Sequence, residues 1–119
     1  MTKTAQLKRG VTLYSYQEEF FTRAMTLEDC LAEMSAIGAE GVELIAEQMM
    51  PEYPNPSSAW VDNWFRMLEK YNLKPACMDT FVDTTLGGHR EMSTDEAVDT
   101  LVLHMKLAKQ LGFGVIRPT

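Results

Sequence analysis

Cysteine is scarce in this sequence. Only Cys30 and Cys77 occur, far apart and outside any CxxC spacing. That excludes a disulfide framework and the common structural zinc motifs, and predicts two reduced, buried thiols in a cytoplasmic protein. Basic charge is also short, with 11 Lys and Arg against 17 Asp and Glu and a net charge of -6. The cations are scattered, so a nucleic-acid partner, which needs clustered Lys and Arg, is not expected. No apolar run approaches the roughly 18 residues of a membrane span. The polar start, Met1–Gly10, has no apolar stretch of the kind a secretory signal carries. No GxGxxG or GxxxxGK[ST] follows any predicted strand, and no HxxxH or HExxH occurs.

What is present is an alternation. Helical periodicity marks three segments, Thr26–Ile37, Ser57–Tyr71 and Ser93–Leu111. Their stripes are Leu27, Cys30, Leu31, Met34 and Ile37; then Trp60, Val61, Trp64, Phe65 and Leu68; then Val98, Leu101, Val102, Met105 and Ala108. Thr26 with Asp29, and Ser93 with Glu96, have capping-box spacing. Four short apolar segments read as parallel strands covered on both faces: Gly10–Tyr14, Gly41–Ile45, Pro75–Asp79 and Gly114–Arg117. The order is βαβαβαβ. Each helix ends on a Gly or Asn cap, and a strand follows within a few residues.

The connections are unequal. Helix-to-strand joins are very short, whereas Ser15–Met25, Ala46–Pro56 and Thr80–Met92 are long and leave the carboxyl ends of strands. Long loops on that face mark the functional side of barrels and open parallel sheets. A small open sheet of response-regulator type is the rival, but it wants an acidic cluster after the first strand. Tyr14-Ser15-Tyr16-Gln17 stands there instead. The expected fold is therefore α/β, a partial (β/α)8 TIM barrel of four parallel strands and three helices. Residues 1–119 make one N-terminal half-barrel, with a flexible segment over 1–8.

Several stretches carry a family resemblance: GVTLYSYQEEF, MTLEDCLAEMSAIGAEGVELIAEQMMPEYPNP, WFRMLEKYNLKPACMD and HMKLAKQLGFGVIRP. Together they resemble the opening of xylose-isomerase-like barrel proteins, more narrowly the sugar phosphate isomerase/epimerase group with the large subunits of C-glycoside deglycosidases. Such proteins are considerably longer, and the expectation is of a partial sequence. The resemblance implies a metal-dependent reaction on a small carbohydrate, by proton transfer next to a carbonyl. It implies a divalent ion, Mn or Mg, in the full-length protein, held by carboxylates and His of later strands. No catalytic residue or metal ligand carries over to this chain, which alone is expected to hold no metal and to lack turnover. Implied partners are the remaining half of the barrel, a homo-oligomer or a small partner subunit. C-glycoside cleavage is the alternative activity, and a non-catalytic half-barrel binding or assembly module is the alternative of another class. DNA-repair endonucleases share the superfamily, but the acidic balance argues against that role.

Five residues are candidate substrate-binding groups. Glu43 interrupts an apolar strand, so its carboxylate needs a partner: sugar hydroxyls, a metal shell, or a Lys or Arg of the barrel. Tyr14 and Tyr16 flank the end of strand one, followed by Phe20 and Phe21, and aromatic faces suit sugar C–H surfaces. Asp79 ends strand three, where it can bind a hydroxyl or cap local backbone. Arg117 ends strand four, where it can clamp an anion or pair with Glu43. Glu47 and Asp83 read as loop residues, His89 as exposed, and His104 as a helix residue at the stripe's edge, without metal-ligand spacing.

Overall fold

The computed structural model describes residues 6–119. The expectation of a flexible start falls in part on residues 1–5, outside the described residues. One four-stranded sheet runs β1 (Gly10–Thr12), β2 (Gly41–Ile45), β3 (Lys74–Thr80) and β4 (Ile116–Pro118). Its order is β1-β2-β3-β4, and every neighbouring pair is parallel. Three long helices, α2 (Leu27–Ala36), α4 (Ser58–Lys70) and α5 (Thr94–Gln110), link successive strands. Two short helices sit in the long loops, α1 (Gln17–Phe21) after β1 and α3 (Ala46–Met49) after β2. This is a partial (β/α)8 barrel: sequential parallel strands with one long helix per connection.

The boundaries differ from expectation for local reasons. β1 stops at Thr12, because Leu13–Tyr16 coils into a 3-10 turn capped by Thr12 Oγ1, which accepts from the Tyr14 N–H at 3.2 Å. β4 begins at Ile116 rather than Gly114. β3 is longer at both ends and carries one extra residue, since Val42 pairs with Pro75 but Glu43 with Cys77. The two predicted capping boxes form, at Thr26 with Asp29 and at Ser93 with Glu96.

All three helix-to-strand joins use the same device. Gly38, Asn72 and Gly112 take positive φ, between 52° and 90°. The next residue's N–H then reaches back to the last turn: Ala39 to Met34 O, Leu73 to Leu68 O and Phe113 to Ala108 O, at 2.9–3.0 Å. Asn substitutes for Gly at the middle join because Asn tolerates the left-handed region.

The core lies between the helices and one face of the sheet. Val42, Leu44 and Met78 meet Leu31, Met34, Trp64, Leu68, Leu107 and Ala108 there. Trp64 is fully buried, and its Nε1 donates to Leu111 O at 3.0 Å, tying α4 to the end of α5. Trp60 stacks on Trp64 at 6.0 Å between centroids, and Phe113 lies at 5.9 Å. The inward face of α5 keeps only part of the expected stripe: Ala108 is buried with His104 and Leu107, and Leu101 is half-buried, whereas Val98, Val102 and Met105 are exposed.

Candidate functional site

Side chains alternate along a strand, so the residues between the core positions point to the opposite, concave face. That rule sends Thr12, Glu43, Cys77, Asp79 and Arg117 to one face. The pairing sets them side by side: Thr12 beside Glu43 beside Cys77, and Asp79 beside Arg117 one layer further along. Both Glu43 and Arg117 thus lie on the side expected for a barrel interior.

Three of the five sequence candidates meet here. Arg117 grips Asp79 with two parallel bonds, Nε to Oδ1 and Nη2 to Oδ2, both 2.6 Å. This fork geometry is the strong form of the pair. Asp79 therefore pairs with a distant arginine and does not cap its own turn. Its side chain is 6% exposed, while Arg117 is 62% exposed. Glu43 Oε1 lies 3.1 Å from Arg117 Nη2, yet it is buried and out of hydrogen-bonding alignment. Two acidic groups thus share one cation. A hydrogen bond to Asp79, burial, and the Asp79 charge push the Glu43 carboxyl up to about 7. Burial opposes the ionised form of Asp79, but the bonds from Arg117 and Glu43 outweigh it and hold that carboxyl low. Near neutrality Glu43 carries the proton for a substantial fraction of the time, and Asp79 holds the charge.

The tyrosines do not join this group. Tyr14 is 57% exposed on the 3-10 turn. Tyr16 is half-buried against the core, and burial, then Glu33, Cys30 and Glu19, raise its phenol. Among the described residues no hydrogen bond links either to Glu43, Asp79 or Arg117. Phe20 and Phe21 pack edge-to-face at 5.9 Å. Asp83 is a turn residue, accepting from Thr85 N and Oγ1 and from Gly87 N.

Glu43, Cys77 and Asp79 offer ligand atoms within 4.8 Å of one another. They do not suit the hard Mn or Mg ion that the resemblance implies. Both oxygens of Asp79 are engaged by the guanidinium, which already supplies the positive charge. The third donor is a soft thiol, and burial and the two carboxylates raise its pKa. Cys77 is also only half-buried, unlike Cys30, so one of the two expected buried thiols faces the site.

A second polar group escaped the sequence reading. Glu47, expected on the loop surface, is only 19% exposed, and its Oε1 accepts from the Phe81 N–H at 2.9 Å. His104 is fully buried, with Nε2 3.6 Å from Glu47 Oε1 and hydrogen-bonded to the Tyr53 hydroxyl. Burial lowers the imidazole pKa, and Glu47 partly offsets this. Burial, then Glu47, pushes Tyr53 up to about 12. No sequence spacing announces this trio: Glu47 and Tyr53 share the connection after β2, and His104 comes from α5.

Fold and site together define a partial parallel barrel with a carboxylate–guanidinium cluster on its concave face. No family model matches the chain. It is similar to the C-glycoside deglycosidase alpha subunit of Arthrobacter globiformis, 31% identical over 108 residues, covering 90% of this chain and 31% of the relative. It is also similar to the 3'-dehydrocarminate deglycosidase alpha subunit of a Microbacterium species, 27% identical, covering 98% of this chain and 34% of the relative. The chain thus spans about a third of the length of the curated relatives it matches. Among solved structures, the probable 3-DHS dehydratase AsbF of Bacillus anthracis superposes with a TM-score of 0.67 at 16% identity. That match covers 94% of this chain and 38% of the other, and it speaks for the fold. No helix among the described residues is long and apolar enough to cross a membrane.

Proposed function

We propose that this chain is the amino-terminal half of a xylose-isomerase-like barrel that processes a carbohydrate, as part of the alpha subunit of a C-glycoside-cleaving enzyme. The similarity to deglycosidase alpha subunits carries this reading, and the concave cluster supports it. The word "subunit" in those names favours a small partner chain over a homo-oligomer. The isomerase or epimerase reading uses the same face and the same proton chemistry next to a carbonyl.

The chain's own contribution is recognition. Glu43, protonated part of the time, donates or accepts a hydrogen bond toward a sugar hydroxyl. Arg117 Nη1 makes no hydrogen bond among the described residues and, on an exposed side chain, is available as a donor. Asp79 fixes the guanidinium plane, so donor and carboxyl keep a set spacing for neighbouring oxygens of a polyol. The hard divalent ion of the resemblance finds no fitting donor set among the described residues. A Mn or Mg ion in the complete protein would rest on residues elsewhere.

The test uses the complete protein with its partner subunit and a C-glycoside whose sugar carries a keto group. Aglycone release is expected. Glu43→Gln and Arg117→Met should each raise KM about tenfold, the scale of one hydrogen bond to a charged group. Interconversion of free ketoses without aglycone release would select the isomerase reading instead. Unchanged KM in both variants would remove the cluster from the binding site.

A further inference from the structure

His104 holds an odd position. α5 turns an imidazole fully inward, while Val98, Val102 and Met105 on the same helix stay exposed. The face that bears His104 also buries Leu107, Ala108 and Leu111, so the imidazole is the one polar group on an otherwise apolar inward stripe, and it is met there by polar contacts. Nε2 meets the Tyr53 hydroxyl, in the loop after β2, and lies 3.6 Å from Glu47 of α3. The Tyr53 ring lies 6.0 Å from the imidazole between centroids, at 39°. Glu47 in turn accepts from the Phe81 N–H. Phe81 follows Thr80, the last residue of β3, and Asp79 is the residue before that. A continuous path thus runs from α5 through two strand-end loops to the carboxylate that grips Arg117.

We propose that His104 is a positioning residue that sets, from the helix-facing side of the sheet, the two strand-end loops beside the Glu43–Asp79–Arg117 cluster. Only the consequence for sugar binding rests on the function proposed above. The coupling itself is a property of the fold. The facing groups have few alternatives. His104 Nδ1, Glu47 Oε2 and Thr80 Oγ1 are buried without hydrogen-bond partners. Deleting the imidazole strips a partner from Tyr53 and a neighbour from the mostly buried Glu47, and both loops must adjust. The charged or titratable groups facing His104 are Glu47 from α3 and Tyr53 from the loop. Those facing Glu43 are Asp79, Arg117 and Cys77 from the neighbouring strands.

Hydrogen exchange and carboxyl NMR titration on the purified protein test this without turnover. Tyr53→Phe deletes one hydroxyl, and His104→Gln removes the ring. Each should speed exchange of the Phe81 amide about tenfold and move the titration midpoint of Glu43. Leu31 in α2, remote from the path, should keep its protection. Unchanged Phe81 exchange and an unchanged Glu43 midpoint in the folded variants would overturn the proposal. A uniform loss of protection at Leu31 and Phe81 would also overturn it, marking His104 as a mere core residue. If His104→Gln fails to fold, Tyr53→Phe decides alone. A failed sugar assay beside an intact Phe81 response would count against the function and not against the coupling.

Discussion

Glu43 and Asp79 illustrate how one cation divides two neighbouring carboxyls. Arg117 is committed to Asp79 by geometry, so Glu43 is left to hold a proton. Its carboxyl titrates at about 7 in the fold against an ordinary 4.5. Because the folded value is raised, its contribution to stability is whole below about pH 4.5 and is lost as pH rises through 7. Asp79 has the opposite sign, since its depressed value contributes stability above its ordinary range that is lost in acid. Thermal melts from pH 4.5 to 8 should show the midpoint falling toward neutrality, and Glu43→Gln should flatten that fall. A Glu43→Gln profile parallel to wild type would show that Glu43 does not titrate in this window. The sequence made Glu43 conspicuous, because a carboxylate in an apolar strand must find a partner. It named Arg117 as a pairing partner for Glu43, and the two groups lie 3.1 Å apart. Which arginine answers it depends on sheet register, and Asp79 was the competitor that the local pattern could not rank.

At the level of elements, caps and joins were the legible parts. They are local chemistry, settled within five residues of chain. Ser93 Oγ accepts from the Glu96 N–H at 3.2 Å, and the Glu96 carboxylate accepts from the Ser93 N–H at 2.8 Å. Arg90 clamps the same carboxylate from outside the helix. Ser93→Ala should cost about 1 kcal/mol of stability in denaturant unfolding, the usual worth of such a cap. A loss under a few tenths would show that Arg90 and Glu96 hold the helix start without it. The face of α5 was not legible. Val98, Val102 and Met105 make a respectable stripe by periodicity, but a helix of 17 residues offers more than one. The sheet selects the one that carries Leu107, Ala108 and Leu111 into the core, and His104 goes in with them. The strand ends were misjudged for a related reason. Thr12 captures the Tyr14 amide and turns the chain early, a local competition invisible to apolar counting.

As a whole molecule, the described chain is a curved sheet covered on one side. β1 and β4 each pair with one neighbour only, and the concave face has no opposing layer among the described residues. Open strand edges template association. The 119-residue chain on its own should therefore sediment as oligomers, more so at higher concentration. A compact monomer across that range would show that the edges and the concave face tolerate water as they are. The placement of the two tryptophans bears on any such experiment. Both Trp60 and Trp64 lie on α4, Trp60 stacked on Trp64 and Trp64 in turn against Phe113. Excitation at the red edge of protein absorbance therefore illuminates a single seam in the helical layer. Emission will report the parting of α4 from the end of α5, and it will be blind to events on the concave side. A ligand settling beside Arg117 could leave the optical signal untouched, so a silent fluorescence titration would say nothing about binding there.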